Sequence, residues 1–425
     1  MKRHLQSDDK DTQSKRALKH IAQTYGTVAF SSSKATKENA RSSPKPIRYK
    51  EDTTTDEVHV NSLATARSMS CYGACTNVSA RYEKLNRIGQ GTYGTVYRAR
   101  DKQTNDMVAI KRCFPHHEAS DGFPITTLRE ISVLRECCGH PYIVHLREVA
   151  VSSSRTGIFL VFDYYEHELG ELIDTHYATH HTPPFREEGQ VKRLLLQLLS
   201  AIAFLHRRCI VHRDMKMSNL LYHQGTGRLK LGDFGLARRV ATLTQRYDVK
   251  MIDTKKEKRV TVLTPKVVSL WYRPPELLLG SGSYNETCDT WGVGCIFAEL
   301  LSGTPLIRGT NEMDQIRKMF AKLGQPNAFI WPSLMDMPLV QSKSIDLSLE
   351  QQDPQRNRFP QLLDDFSYLS TAGLCLLSGF LTYDYTRRLT ASEAMESEYF
   401  KEKPFPTEES RMPTFPVKHS HAASR

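Results

Sequence analysis

The pattern of hydrophobic and polar residues divides the chain into four stretches. Residues 1–79 are rich in Ser, Thr, Lys and Asp and show no period of 2 or 3.6 residues, which predicts a disordered, basic N-terminal tail. In residues 80–165, hydrophobic and polar residues alternate as in β-strands, apart from one stretch with a helical pattern. The pattern of residues 166–400 predicts a mainly helical part. Residues 401–425 form a Pro-rich tail that we expect to be extended over the surface or free.

Individual segments of the ordered part have recognisable periods. YEKLNRIGQG and TVYRARD have the pattern of two strands joined by a glycine turn, and DMVAIKRCF and GIFLVFDYY of two further strands. Residues 126–138 have a helical pattern, and VKRLLLQLLSAIAFLHRR that of a buried helix. We therefore predict an α+β protein, with a small β-rich part that contains one helix and a larger, mainly helical part.

Composition and charge narrow the class of protein. The chain has 425 residues, a formal net charge of +11 and a pI near 9.1. A basic protein of this kind could bind nucleic acid or acidic phosphate ligands or be imported into the nucleus. Its charge could equally belong to a solvated basic surface without such a role. Nine cysteines without regular spacing favour reduced thiols in an intracellular protein. The N terminus lacks the apolar core of a secretory signal, and LLLQLLSAIAFL is too short to cross a bilayer, so we expect no membrane partner.

Two motifs in the β-rich part could bind phosphate. The first is IGQGTYGTV, in which Gly89, Gly91 and Gly94 would let a hairpin backbone approach phosphate oxygens. Taken alone, this motif also fits a plain hairpin or a dinucleotide-binding loop, although strand-like sequence follows where a dinucleotide fold needs a helix. The second is Lys111 in VAIK, whose apolar neighbours indicate a side chain that points into a site rather than to solvent.

Two more motifs follow the buried helix. In HRDMKMSN, Asp214 could orient a hydroxyl group and accept its proton, Lys216 could neutralise a transferring phosphate, and Asn219 could bind Mg²⁺ through its amide oxygen. DFG begins at Asp233 and, taken alone, would be only a turn. The glycine loop, strand lysine, HRDxKxxN, DFG and PPE occur in one order, and this combination is specific.

In these motifs the sequence resembles the eukaryotic protein kinases, over roughly residues 80–400. The resemblance implies a two-lobed kinase fold, with a small lobe at 80–165, a large lobe at 166–400 and ATP in the cleft between them. The large lobe would contain an activation segment at 233–276, longer than is usual in the family. Lys216, two positions after Asp214, resembles the Ser/Thr kinases rather than the tyrosine kinases.

The resemblance assigns roles to single residues. Lys111 would hold the α- and β-phosphates of ATP and pair with Glu130. Asp214 would accept the proton of the substrate hydroxyl, and Lys216 would contact the γ-phosphate. The ligands of Mg²⁺ would be Asn219 and Asp233. The residues around ATP would be Ile88, Gly89, Gln90, Gly91, Thr92, Tyr93, Gly94, Thr95, Val96, Ala109, Lys111, Asp163, Tyr165 and Leu221, with Phe162 as gatekeeper. Supporting contacts would be a Glu276–Arg388 ion pair and a brace of the catalytic loop by Asp289.

The stretch PITTLRE, residues 124–130, resembles the PSTAIRE-type helix of the cyclin-dependent kinases and is similar to the PISSLRE and PITSLRE branches. Further matches in TPKVVSLWYRPPELLLG and in YFKEKPFP…MPTFP favour the PISSLRE (type 10) branch. The resemblance implies a cyclin partner on this helix, with an M-type cyclin expected. The weakly polar helix start suits a covered surface, although Ile125 and Leu128 could instead face the core of the small lobe, which we expect for Leu128.

Regulation is also implied by the resemblance. Thr264 matches the activation-loop threonine that another kinase phosphorylates, and Arg129, Arg213 and Arg238 match the arginines that gather this phosphate. Thr92 and Tyr93 match inhibitory phosphorylation sites, and the alternative is that they are plain loop residues.

The segment KVVSLWYR resembles the one that accepts a proline after the phosphorylated residue, with Val267 and Arg273 shaping the pocket. We therefore expect protein substrates with Ser/Thr-Pro sequences. The basic insertion VKMIDTKKEKRV could dock acidic substrates, serve in nuclear import or be a solvated loop. Short basic clusters leave the location open between nucleus and cytoplasm.

Three other functions were weighed. A MAP-kinase-like enzyme would need a Thr-x-Tyr pair, which TLTQRYD does not supply. A pseudokinase scaffold is disfavoured because the residues that handle metal and phosphate are all present. A nucleic-acid-binding module is disfavoured because the basic residues are dispersed without interleaved aromatics.

Overall fold

The computed structural model describes most of the chain between residues 75 and 416. Several predictions fall outside the described residues: the tail at 1–74, most of the activation segment, and the roles of Thr92, Tyr93, Thr264 and Val267. The described residues are 75–91, 94–113, 125–153, 157–240, 269–281, 285–345, 347 and 360–416.

A six-stranded sheet forms the small lobe. Its strand order is β1-β5-β6-β4-β3-β2, and every pair is antiparallel except β1 with β5. Alternate residues of the strands bury one small core, which includes Ala99, Val108, Ile110 and Val161. The strands are β1 Thr76–Asn77, β2 Tyr82–Gly91, β3 Gly94–Asp101, β4 Met107–Cys113, β5 Leu146–Val151 and β6 Ile158–Asp163.

The sheet differs from the prediction in two places. The lobe begins with β1 and the short helix α1 (Val78–Arg81), before the predicted boundary at residue 80. The hydrophobic pattern also did not predict β5, whose sequence LREVAV carries two charged residues. These charges are accommodated by ion pairs, because Arg147 contacts Asp163 at 2.5 Å and Glu148 contacts Arg81 at 3.4 Å.

Helix α2, Ile125–Glu136, contains most of PITTLRE, close to the predicted span of 126–138. Its buried side includes Thr127, Glu130 and Leu134, which recur at helical spacing. Leu128 lies off this stripe and is 51% exposed, as Ile125 is at 62%. The prediction that Leu128 faces the small-lobe core was therefore wrong, because Thr127 and Glu130 occupy the inward positions.

The large lobe is mainly helical. Its longest helix, α4, starts at a capping box between Glu187 and Gln190 and is buried along most of its length. No helix in the described part of the chain is long and apolar enough to span a membrane. The helices are α3 Leu169–His180, α4 Glu188–Arg207, α5 Pro275–Leu278, α6 Thr287–Ser302, α7 Glu312–Leu323, α8 Pro338–Gln341, α9 Pro360–Asp365, α10 Thr371–Phe380 and α11 Ala391–Met395.

Short strands of the large lobe hold the loops that face the small lobe. Strands β7 (His167–Glu168), β9 (Leu220–His223) and β10 (Arg228–Leu231) form one sheet, and β8 (Ile210–Val211) pairs with β11 (Arg238–Arg239). HRDMKMSN lies between β8 and β9, and DFG lies between β10 and β11. The predicted architecture, a β-rich lobe with one helix and a mainly helical lobe, is confirmed, with the short helix α1 in addition to the predicted helix α2.

Two contacts hold distant parts of the large lobe together. Arg388 donates both Nη groups to the carboxylate of Glu276 at 2.9 and 2.8 Å, and both side chains are buried, so the predicted ion pair is present. Described residues 401–416 run extended across the large lobe, where Thr407 donates its backbone N–H to Gly189 and Met412 is buried. The C-terminal segment therefore packs on the large lobe.

Candidate active site

A cleft of about 600 Å³ lies between the lobes. Side chains of both lobes line it, so its shape depends on how the lobes are placed. The predicted residues that line it are Ile88, Gly89, Gly94, Val96, Ala109, Lys111, Glu130, Phe162, Asp163, Tyr165, Asp214, Lys216, Leu221 and Asp233. Lining residues that the sequence analysis did not single out include Val144, Tyr164, Glu166, Glu168, Glu171, Gly232, Leu236 and Ser269.

The β2–β3 hairpin forms the roof of the cleft. Gly91 pairs with Gly94 at its tip, and a Cβ atom on Gly94 would lie 2.4 Å from the carbonyl oxygen of Arg112, so no side chain fits there. Gln90 and Thr95 were predicted around ATP, but they are not among the lining residues of the described chain. Side chains alternate across a strand, so Thr95 faces away when Gly94 and Val96 face the cleft.

Lys111 on β4 joins two acidic residues from different elements. Its Nζ lies 2.8 Å from Glu130 Oε1 on α2 and 3.2 Å from Asp233 Oδ1 of DFG. The predicted Lys111–Glu130 pair is therefore present. This contact connects the sheet, helix α2 and the DFG turn through one ammonium group.

The charges of this cluster are set by burial and by mutual attraction. Burial opposes the charged form of Lys111, but Glu130 and Asp233 outweigh it and raise the pKa of the lysine above its ordinary value. Burial raises the pKa of Glu130, although Lys111 opposes this shift. For Asp233, burial acts upward, but Lys111 lowers the pKa overall. The cleft therefore holds a permanent cation that a polyphosphate could contact.

The catalytic loop places its polar groups around Asp214. Lys216 Nζ lies 2.6 Å from Asp214 Oδ2, and the Asn219 amide nitrogen donates to the same oxygen at 3.1 Å. Ser269 donates its hydroxyl to Asp214 Oδ1 at 3.2 Å. Sequence reasoning missed Ser269, although its position directly before LWYR was a usable signal.

Asp289 on α6 braces the loop from below, as predicted. Its carboxylate accepts the backbone N–H groups of His212 and Arg213, both at 2.8 Å, and lies 2.9 Å from His206 Nε2. Burial acts to raise the pKa of Asp289, but His206 and the other donors lower it overall. Arg213 has a φ of +67°, and these hydrogen bonds help to hold that unfavourable conformation.

Asn219 and Asp233 are suitable ligands for Mg²⁺. Gly232, directly before Asp233, donates its N–H to the backbone oxygen of Asn219, so the two side chains start from adjacent backbone. The Asn219 amide nitrogen is used by Asp214, which leaves its amide oxygen for a metal. Among the residues that the structure describes, no three His, Cys, Asp or Glu side chains form a metal-binding group. Two protein ligands beside a phosphate-binding cleft fit Mg²⁺, which commonly keeps water and phosphate ligands.

The predicted arginines lie on three elements near this site. Arg213 belongs to the catalytic loop and donates its Nε to the Leu236 carbonyl at 2.6 Å. Arg238 lies on β11, opposite Val211 of β8, and Arg129 is exposed on α2 beside Glu130. Their predicted phosphate acceptor, Thr264, is outside the described residues.

Comparisons with known proteins agree with this geometry. The protein kinase domain family matches residues 82–400. The chain is 45% identical over 351 residues to cyclin-dependent kinase 10 of Rattus norvegicus, which covers 83% of this chain and 88% of the relative. It is 42% identical over 344 residues to cyclin-dependent kinase 11B of the same organism, which covers 81% of this chain and 71% of the relative.

A solved structure shows the same fold. It is the crystal structure of the yeast RNA Pol II CTD kinase CTDK-1 complex, with a TM-score of 0.63 and 33% identity over 83% of this chain and 99% of the matched chain. The cleft, the motifs that line it and these relatives agree on one assignment. The chain belongs to the protein kinase family, as an ATP-binding Ser/Thr kinase related to the cyclin-dependent kinases.

Proposed function

We propose that this protein is a cyclin-dependent kinase that transfers the γ-phosphate of ATP to Ser or Thr followed by Pro. One observation carries the proposal: Lys111, held by Glu130 and Asp233, shares one cleft with Asp214 and Lys216. A cation for the phosphates and a carboxylate for the hydroxyl are the two groups that phosphoryl transfer requires. A scaffold without chemistry gives no reason for both.

ATP would enter between the glycine hairpin and the segment that joins the lobes. Ala109 and Leu221 would enclose the adenine from opposite lobes, and the backbone of Asp163 and Tyr165 would bond its edge. Lys111 would hold the α- and β-phosphates under Gly89 and Gly94. When bound at Asn219 and Asp233, Mg²⁺ would neutralise charge on the phosphates.

The transfer step follows from the geometry around Asp214. The substrate hydroxyl oxygen forms a bond to the γ-phosphorus while the bond to the leaving ADP oxygen breaks. The hydroxyl proton passes to the carboxylate of Asp214, whose orientation Lys216, Asn219 and Ser269 fix. Lys216 also lies close enough to Asp214 to neutralise the transferring group.

A cyclin, with an M-type cyclin as the first candidate, is the partner we propose for α2. Ile125 and Leu128 expose large apolar side chains on the helix that carries Glu130. A partner that covers them would keep α2 in the position that pairs Glu130 with Lys111. The similarity to two cyclin-dependent kinases supports this choice.

Regulation would act on the same parts. Phosphorylation of Thr264 by an activating kinase would recruit Arg129, Arg213 and Arg238. Phosphate on Thr92 or Tyr93, in the glycine hairpin, would repel ATP. Arg273, which contacts Glu312 at 2.7 Å, would help to shape the pocket for the proline of the substrate. We place the protein in the nucleus, the cytoplasm or both, and not on a membrane or on nucleic acid.

The test is to purify the chain with and without a co-expressed M-type cyclin. Transfer of the γ-phosphate is measured to a Ser-Pro peptide and to the matched Ser-Ala peptide. Asp214→Asn serves as the blank and should lose at least about 100-fold in rate, because it removes the proton acceptor.

Three results separate the parts of the proposal. Transfer that needs the cyclin and is confined to Ser-Pro would support all of it. Transfer without a partner would retain the kinase and remove the cyclin. If a cyclin is bound, Thr264 is phosphorylated and no transfer occurs, the chain acts as a scaffold.

A further inference from the structure

The segment at 405–416, called here the C-terminal strap, contacts the segment that joins the lobes and also the loop between α2 and β5, which packs on the large lobe. Near one end, Phe415 packs edge-on to His167 of β7, two residues after Tyr165 in the segment that joins the lobes. Near its middle, Glu409 Oε1 accepts a hydrogen bond from the Tyr142 hydroxyl at 2.9 Å. Tyr142 lies in the loop between α2 and β5.

The strap is firmly attached to the large lobe. Glu409 accepts hydrogen bonds from Arg228 of β10 at 2.6 Å and from Gln197 of α4 at 3.0 Å. Together with the bond from Tyr142, its carboxylate joins the strap to two elements of the large lobe and to the loop behind α2. Gly227 has a φ of +65°, and a Cβ atom there would lie 2.0 Å from the Glu409 carbonyl oxygen. Glycine at this position therefore lets the strap pass close to the backbone of the turn between β9 and β10. Tyr222 donates its hydroxyl to Pro413 at 2.7 Å.

The loop that the strap contacts is anchored to the large lobe. Ile143 is 1% exposed and forms a bridge to Leu231, and the Leu231 N–H donates to the Tyr142 carbonyl at 2.9 Å. Val133 and Leu134 of α2 belong to the large-lobe core, apart from the core of the sheet. The rear of α2 is thus fixed to the large lobe, while its first half carries Glu130.

We propose that Glu409 is a positioning residue: through Tyr142 it fixes the loop behind α2 and so holds Glu130 against Lys111. Its part in catalysis rests on the proposed kinase function. Its structural part, the ordering of α2, does not. Loss of the Glu409–Tyr142 bond would loosen the loop between α2 and β5 and let α2 move away from the sheet.

Hydrogen exchange of the full chain tests the structural part. Glu409→Ala and Tyr142→Phe each remove the same bond, and Tyr142→Phe keeps the ring and is the milder change. Both should speed exchange in the peptide that covers 125–136, and the double variant should be no faster than the single ones, because the two side chains act as a unit. The matched control is Glu408→Ala, a neighbouring residue whose side chain is 69% exposed in a surface ion pair with Arg411.

Kinetics tests the catalytic part. With the Ser-Pro peptide and saturating ATP, we expect kcat to fall about fivefold in Glu409→Ala and Tyr142→Phe, with melting temperatures still well above the assay temperature. In a Glu130→Gln background, Glu409→Ala should cause no further fall, because its effect passes through Glu130. A purely structural role would lower the rate in both backgrounds.

Some results would overturn the inference. Exchange in α2 that stays at the wild-type rate in both variants, that rises equally in Glu408→Ala, or that is additive in the double variant would rule out the route through Tyr142. A wild-type chain that transfers no phosphate would remove the proposed function, and the exchange result would still decide the structural role of the strap.

Discussion

The two lobes differ in how they are held together. Among the described residues, the small-lobe core has six buried hydrophobic residues, whereas the large-lobe core is continuous over many helices and also takes in the C-terminal half of α2. On the small-lobe side, the catalytic position depends on a polar contact, that of Lys111 with Glu130 and Asp233. On the large-lobe side, Asp214 lies on a loop braced from below by buried Asp289. The large lobe therefore has the larger and more continuous core, and we expect the small lobe to open locally at a lower free energy.

Arg388→Met should have the largest effect on stability, since it removes one half of a fully buried ion pair in the large lobe. The carboxylate of Glu276 would stay buried without its cation, and we expect a loss of about 3–5 kcal/mol in the free energy of unfolding. The measurement is urea denaturation followed by fluorescence.

Arg387→Met is the matched control for that variant. Arg387 directly precedes Arg388 and is half-exposed, and its ion pair with Asp384 is 3.5 Å long. Its removal should change the free energy of unfolding by less than about 1 kcal/mol. Equal losses in the two variants would show that the buried pair has no special weight.

Glu299→Gln tests a second buried acid of the large lobe by its pH dependence. Burial raises the pKa of Glu299 from 4.5 to about 7, against the hydrogen bond from Tyr272. Because the pKa of Glu299 is raised in the folded protein, its protonated side chain stabilises the fold at low pH. This contribution is lost as the pH rises through about 7. Between pH 5 and 8, the variant should gain about 2 kcal/mol relative to the wild type.

The check on this prediction is urea denaturation at several pH values. Glu398→Gln, whose side chain is 77% exposed, is the control and should run parallel to the wild type. A constant difference between Glu299→Gln and the wild type across the pH range would mean that Glu299 titrates normally.

Ile110→Val should have a small effect on stability and tests whether the two lobes unfold separately. Ile110 is buried in the small-lobe core, and Ile202 is equally enclosed in α4. Each substitution removes one methylene group and should cost about 1 kcal/mol. Hydrogen exchange should rise only in β2–β6 for Ile110→Val, whereas Ile202→Val should raise exchange throughout the large lobe. Similar, global changes in both variants would show that the lobes unfold as one unit.

The sequence predicted what depends on short motifs. The order of the lobes and the glycine hairpin follow from the hydrophobic pattern and the motifs. The Lys111–Glu130 pair and the brace by Asp289 were expected from the family resemblance that these motifs carry. Contacts that join remote segments were missed. Ser269 reaches Asp214 over 55 positions and Glu409 reaches Tyr142 over 267, and no local period encodes such distances. Leu128 was misjudged because an apolar residue on a helix is not evidence of burial when a partner surface is the alternative.

The bond between Glu409 and Tyr142 also has a consequence for biosynthesis. At about 5–20 residues per second, Glu409 is synthesised about 15–50 seconds after Tyr142, with which it is to bond. During this interval the loop behind α2 and the positive end of Arg228 are without their carboxylate. A nascent chain can therefore have synthesised the helices of both lobes and still lack this contact to the loop behind α2. Chains that end before residue 405 lack the strap, including buried Met412, so we expect them to be less stable in the large lobe and to exchange faster in α2 than the full chain.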